Sequence, residues 1–486
     1  MLEALKAIDY KKVLYYFSEL AAIPHGSGNC KAIADYLENF AKERGIRYIR
    51  DNADNIIFYK AATAGYEDLP AIILQGHMDM VCEKEAGSDH DFTKDGLNLQ
   101  FDGEWLTADK TTLGGDDGIA VAYCLALLDD TTAKHPALEL IITTEEEVGM
   151  DGAKALDASV LSGKYMINID SEEEDMVLCG CAGGMRVSAE LPIERLPMEG
   201  TRLQIKIRGL QGGHSGVEID KNRTNAVIWL ARYLFSLREQ VTFAVEEFSG
   251  GQKDNAIPRD ADAVVLVDTD EVSKAVAIAE KLAGQMAEEI RAAEPKAKIL
   301  VTVGEAVEDG AAIHPRSFEK FLFLLLQCPN GIQTMSPDIP GLVESSLNLG
   351  ICSIEPQTAK CLWALRSSKK SYLSFLKEKL CYLIGFLGGD YEVSGEYPAW
   401  EYKSESKLRA VYSDAYKEVF GKRPAFATIH AGLECGILSE KLPGLDIISI
   451  GPDMKDIHTP AERLHIGSAL RMYRLLEKIL ADYKIS

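Results

Sequence analysis

Short, continuous apolar runs recur through the first third of the chain and again near its end. Each stops at a polar segment carrying acids or histidine. Ala71 to Leu74 leads into Gln75-Gly76-His77, Leu138 to Thr144 into Glu145-Glu146-Glu147, and Tyr165 to Ile169 into Asp170. Asp446 to Ile450 precedes Gly451-Pro452 and a loop that reaches His458. Runs of this kind, bounded by turns, predict strands buried on both faces. Helical periodicity lies between them, as over Gly118 to Leu128, and residues 1–24 read as an amphipathic helix. The alternation predicts an α/β class, with the polar segments at the carboxyl ends of the strands, where open α/β sheets place their sites.

From about residue 184 to 397 the pattern changes. Thr201 to Arg208 alternates like a half-exposed strand, and Asn222 to Leu237 has helical spacing. Val241–Phe248, Ala261–Asp268 and Ile299–Val303 read as strands, followed or separated by a helix over about 270–292. A second set follows: a helix near 317–327, strands over 343–354 and 359–367, and a helix over 369–387. Antiparallel strands with helices predict an α+β domain, in two related halves without a tight sequence repeat. The expected organisation is therefore residues 1–183 plus 398–486 as one metal-binding α/β domain, with 184–397 inserted into it.

Composition narrows the function class. The chain has 486 residues, too many for one ordinary core. A net charge of −23 argues against nucleic acid or an anionic membrane as partner, because both need a basic surface. The N-terminus lacks a signal-peptide core, and no apolar run approaches the ~20 residues of a transmembrane helix. The ten cysteines are scattered without zinc-finger spacing, and a cytoplasmic location is expected.

The polar segments together carry the donors of a metal site. Imidazole and carboxylate are the usual ligands of zinc and similar ions. His77 and Asp79 stand at i and i+2, so on a strand they face the same side, and Asp79 can accept the second ring N–H of His77. Asp116 follows two glycines just before a helix, where its carboxylate is free to bridge two ions; Asp117 fits an ordinary helix cap better. Three adjacent glutamates at a strand end repel one another unless cations neutralise them. Glu147 reads as a ligand and Glu146 as a general base, although the residues alone leave their order open. Asp170 is the ligand candidate at its strand end, and His458 completes the set.

These segments resemble the M20 family of co-catalytic zinc peptidases. The resemblance rests on Gln75-Gly76-His77-Met78-Asp79, Leu113-Gly114-Gly115-Asp116-Asp117-Gly118, Glu146-Glu147-Val148-Gly149, Gly212-Gly213-His214-Ser215-Gly216 and Asn255-Ala256-Ile257-Pro258. His430-Ala431-Gly432-Leu433-Glu434-Cys435-Gly436 and His458-Thr459-Pro460-Ala461-Glu462 narrow it to the branch acting on dipeptides, including Xaa-His. It implies a zinc-exopeptidase-like catalytic domain with an inserted lid domain. It also implies two divalent ions, zinc above cobalt or manganese, one held by Asp116, Glu147 and His458 and the other by His77, Asp116 and Asp170. It orders the glutamates with Glu146 as base, and it implies a cis peptide between Asp116 and Asp117. A hydroxide bridging the ions would attack the peptide carbonyl while Glu146 carries the proton to the departing amine. His214 would stabilise the oxyanion and Asn255 would bind substrate.

Arg366, at a strand end, is the candidate for the substrate α-carboxylate, whose geometry its planar fork matches. His430 and Glu434 are read as supporting or substrate-binding, with Glu434 accepting the ammonium. Small dipeptides are the expected partners, and a homodimer is left open. Two alternatives remain: an N-acyl-amino-acid amidohydrolase on the same fold, which would lack the ammonium pocket, and a non-catalytic metal-dependent binding protein, which would have no use for Glu146.

Overall fold

In the computed structural model, which describes residues 2–484, the runs that end in acids become neighbouring strands. The chain divides into two units, one built from residues up to Cys181, Tyr402–Thr428 and the residues from Leu433 on, the other from Ala182–Glu401 and Ile429–Gly432.

The first unit is centred on an eight-stranded sheet. Its middle four strands run parallel in the order Leu138–Thr143, Ile72–His77, Tyr165–Asn168 and Asp446–Ser449. Antiparallel strands flank them, Ile56–Lys60 and then Arg47–Arg50 on one side and Met176–Cys181 on the other. Every residue of Leu138–Thr143 and Ile72–His77 is buried, which is why these stretches show no apolar–polar alternation. The helix Gly115–Asp129 is buried on nearly all sides from Gly118 to Leu128, as an apolar stretch without a polar face requires. It shares one core with the sheet and with the helix Ile466–Asp482, where Tyr123 donates its hydroxyl to the Ala469 carbonyl at 2.6 Å.

The second unit is a nine-stranded sheet covered by four helices. Four strands, Lys298–Ile313, Arg195–Arg208, Ala261–Val267 and Phe243–Gly250, form one half in that order. Val343–Ile354, Thr358–Ser367, Gly183–Pro192 and Asp390–Tyr397 form the other, with Gly331–Met335 paired beside Val343–Ile354. The halves join at a narrow seam, Ser249 opposite Ser353 and Gly250 opposite Cys352. Trp363, Phe248 and Phe321 lie in the core between sheet and helices.

Several elements differ in extent from the apolar pattern. The N-terminal stretch is two helices, Glu3–Lys6 and Val13–Ala21, because Lys11 and Lys12 adopt positive φ and the Asp9 carboxylate accepts from the amides of Leu14 and Tyr15. The helix expected from Asn222 begins at Ala226, since the Asn225 side chain accepts from the amides of Val227 and Ile228. The strand expected over 299–303 continues to Ile313. Its polar middle stays extended because it hydrogen-bonds along Arg195–Arg208, a force the side-chain pattern does not reveal. No described helix is long and apolar enough to cross a membrane.

Candidate metal centre

The parallel strands deliver their terminal residues to one point in the first unit. His77 ends its strand, the Glu145–Glu147 turn follows Thr143, and Asp170 lies just beyond Asn168. Asp116 comes from the start of the buried helix, after Gly114 in the left-handed conformation, and the Asp116–Asp117 peptide is cis. His458 arrives on the loop after Asp446–Ser449.

These donors converge in trios whose ligand atoms lie within 4.8 Å of one another: His77 with Asp116 and Asp170, Asp116 with Glu147 and His458, and His77 with Glu146 and Glu147. Asp116 divides its oxygens between the first two. Its Oδ1 is 3.1 Å from His77 Nε2 and its Oδ2 is 3.2 Å from His458 Nε2. His458 Nε2 is also 3.0 Å from Glu147 Oε1, and His77 Nε2 is 3.7 Å from Asp170 Oδ1. Ligands about 2.1 Å from a tetrahedral zinc ion stand about 3.4 Å apart, so these separations suit metal-sized gaps. The electrostatics agree. Burial disfavours a charged His77, yet Asp116, Asp170 and Asp79 outweigh it and hold the imidazole well above its ordinary range. Asp116 and Glu147 lift His458 to about 11. A cluster that draws positive charge onto both its histidines fits divalent cations.

Other groups brace this cluster. Asp79 is 1% exposed and accepts from Ser27 Oγ at 2.8 Å, the Glu146 amide at 3.0 Å and the Glu147 amide at 3.3 Å. Burial opposes its ionisation, but His77, Ser27 and the Glu146 amide hold it below the usual carboxylate range. His77 Nδ1 is nearer the Asp79 carbonyl, at 2.9 Å, than its carboxylate, at 3.5 Å, so Asp79 orients the glutamate turn more directly than the histidine. Glu145 turns elsewhere and accepts from the Gly28 amide. Asp117 is no helix cap: buried at 0% exposure, it accepts from the His77 amide at 3.2 Å, and burial pushes its carboxyl well above the usual range. Burial, with Asp170, Glu434 and Glu147 acting the same way, also raises Glu146 against the opposing effect of His77.

The helix that carries Glu434 begins at that residue, and His430 belongs to the second unit. Glu434 is 0% exposed and accepts from Gln75 Nε2 at 2.5 Å and Thr143 Oγ1 at 2.6 Å. Burial pushes it up to about 8. With these bonds Glu434 braces the strand ends that carry His77 and the Glu145–Glu147 turn.

In the second unit His214 and Asn255 are brought side by side by a two-stranded ribbon that pairs His214 with Ala256. His214 Nδ1 accepts from the amides of Gly216 and Val217 at 3.2 Å each, which leaves Nε2 to carry the proton. Burial and the nearby Arg366 lower its pKa, so the ring is neutral. A Cβ on Gly216 would lie 2.7 Å from the His430 carbonyl, 2.9 Å from His214 Cε1 and 3.2 Å from Arg366 Nε, so only glycine lets these groups converge. Arg366 Nη1 donates to Tyr397 Oη at 2.8 Å, and His430 Nε2 is 2.8 Å from Ser346 Oγ. Tyr397 and Ser346 carried no signal in the sequence, because lone hydroxyls are too common to single out. A pocket of about 640 Å³ adjoins His214 and Asn255 and is also lined by Arg259 and Asp260.

Comparison with known proteins places the chain among peptidases. The description "Peptidase family M20/M25/M40" matches residues 73–482. The cytosol non-specific dipeptidase of Escherichia coli (strain K12) is 36% identical over 468 residues, covering 96% of each chain. The crystal structure of aminoacylhistidine dipeptidase from Vibrio alginolyticus superposes with a TM-score of 0.89 at 34% identity, covering 98% of both chains. Aminopeptidase PepT from Bacillus cereus ATCC 10987, at 16% identity and a TM-score of 0.57 over 97% of this chain and 98% of its own, shares the fold.

Proposed function

The chain belongs to the M20/M25/M40 peptidase family, and on that footing we propose that it is a cytoplasmic dipeptidase that uses two divalent ions and accepts Xaa-His among its substrates. The observation that carries the two-ion reading is Asp116, which offers one carboxylate oxygen to each histidine. His77, Asp116 and Asp170 would hold one ion, and Asp116, Glu147 and His458 the other. Bound there, zinc or a similar ion supplies Lewis acidity toward a carbonyl oxygen and makes water acidic near neutral pH. Glu146 accepts the proton of the attacking water and returns it to the departing amine nitrogen. Asp79 fixes the turn that presents Glu146 and Glu147. His214, neutral with its proton on Nε2, is a donor for the developing oxyanion. Asn255 and Arg366 bind the substrate, with Arg366 taking the α-carboxylate and His430 beside it.

The relatives' names support dipeptides as the substrate class. The test is a panel of dipeptides, including Xaa-His, each also amidated at the C-terminus or acetylated at the N-terminus. Free dipeptides should be hydrolysed, chelation should abolish turnover, and blocking the carboxylate should lower kcat/KM at least tenfold. Preference for N-acetylated amino acids would instead establish an amidohydrolase.

A further inference from the structure

Glu462 is 2% exposed, and its carboxylate closes on a run of consecutive backbone amides. Oε2 accepts from the N–H of Leu113 at 2.7 Å and of Gly114 at 3.2 Å. Oε1 accepts from Gly115 at 2.8 Å and, at greater length, from Asp116 at 3.4 Å. Successive amides around a left-handed residue form a concavity that binds anions, and Gly114 has φ 64° and ψ 30°. Here the anion belongs to the protein. The fit explains the glycines: a Cβ on Gly115 would stand 3.2 Å from Glu462 Oε1, and one on Gly114 would stand 2.9 Å from Met80 Sδ.

The other end of this contact is equally specific. Glu462 closes the turn that opens at His458, with its own amide donating to the Thr459 carbonyl at 3.1 Å and the Ala461 amide donating to Thr459 Oγ1 at 3.2 Å. One carboxylate therefore ties the segment that presents Asp116 to the segment that presents His458, two side chains whose facing atoms are 3.2 Å apart. Charge-assisted bonds to a carboxylate are roughly twice as strong as neutral ones, and both oxygens are used.

We propose that Glu462 is a positioning residue for the Asp116–Glu147–His458 trio, setting the separation of Asp116 from His458 and thereby the affinity of that trio for its ion. Glutamine cannot replace it, because the amide nitrogen would face N–H donors whichever way the group turned.

The inference rests on the two-ion reading, and the test separates the two. Zinc affinity is measured with a competing chelator in two backgrounds: Asp170→Asn, which leaves the Asp116–Glu147–His458 trio intact, and His458→Gln, which leaves the other. Adding Glu462→Gln should weaken zinc binding about 10- to 100-fold in the first background, as removal of an outer partner typically does, and less than about threefold in the second. Should Glu462→Gln not fold, Gly115→Ala, which presses on Glu462 Oε1, should give the same selective loss. Equal loss in both backgrounds, or none in the first, overturns the proposal. Failure of Asp170→Asn alone to bind any zinc overturns the two-ion reading and this inference with it.

Discussion

Glu146 and Glu147 are adjacent, chemically identical, and assigned different work, so exchanging each for glutamine is a demanding test. The geometry sets the stakes. Glu147 Oε1 lies 3.0 Å from His458 Nε2, whereas the trio of His77, Glu146 and Glu147 puts Glu146 close enough to serve as a ligand in a rival assignment. Glutamine keeps the shape and removes the charge and the proton affinity. If Glu146 is the base, Glu146→Gln should keep its metal and lose ~100- to 10,000-fold in kcat, about 3–5 kcal/mol of transition-state stabilisation. Glu147→Gln removes one of three donors and leaves His458 with Asp116 alone. Breaking a buried charge pair costs ~3–5 kcal/mol, so one ion should bind at least ~100-fold more weakly. Its activity should recover in part at high metal concentration. Metal content by elemental analysis and kcat at saturating zinc, measured on the same preparations, decide the matter. A Glu146→Gln enzyme that sheds metal and is rescued by excess zinc, beside a Glu147→Gln enzyme that keeps its metal and is inactive, would refute the assignment and exchange the roles.

Two further outcomes follow from the second unit. His430 is 6% exposed, and burial together with Arg366 and His214 holds its pKa at about 3; an unfolded imidazole titrates near ~6.5, so between these values the unfolded chain binds more protons and stability falls as pH falls, by roughly 1.4 kcal/mol per pH unit. Relative to wild type, His430→Gln should therefore gain on the order of 2 kcal/mol between pH 6.5 and 5 in denaturant titrations, and parallel curves for the two proteins would contradict the neutral, buried imidazole. Arg366→Lys keeps the charge but not the planar fork or its contact with Tyr397; KM for free dipeptides should rise about tenfold while C-terminal amides change little, and an equal loss on both would remove Arg366 from the carboxylate site.

The parallel strands were legible because burial on both faces leaves continuous apolar runs, and the candidate ligands stood out because each run ends in an acid or leads to a histidine. Leu138–Thr143 and Ile72–His77 illustrate both. What the sequence hid are interactions that lack a periodic signature. The strand Lys298–Ile313 is held by backbone pairing through a polar middle, so its side chains underpredict its length. Glu462 stood in a recognisable motif, yet nothing local to it reveals that its partners are the amides of Leu113 to Asp116, some 346–349 positions away. Tyr397 meets Arg366 across 31 positions through a single hydroxyl. Glu434 likewise stood in a recognisable motif, but its bonds to Gln75 and Thr143, 359 and 291 positions away, have no local signature.

The two-ion proposal turns on one carboxylate, Asp116, serving both sites. The direct measurement is zinc bound per chain after chelation and reloading, for the wild type and for Asp116→Asn. Two ions should bind per wild-type chain and neither should be held tightly by the variant, because each trio loses its shared anion. A wild-type chain that saturates at one ion, or an Asp116→Asn chain that still binds two with unchanged affinity, would contradict it.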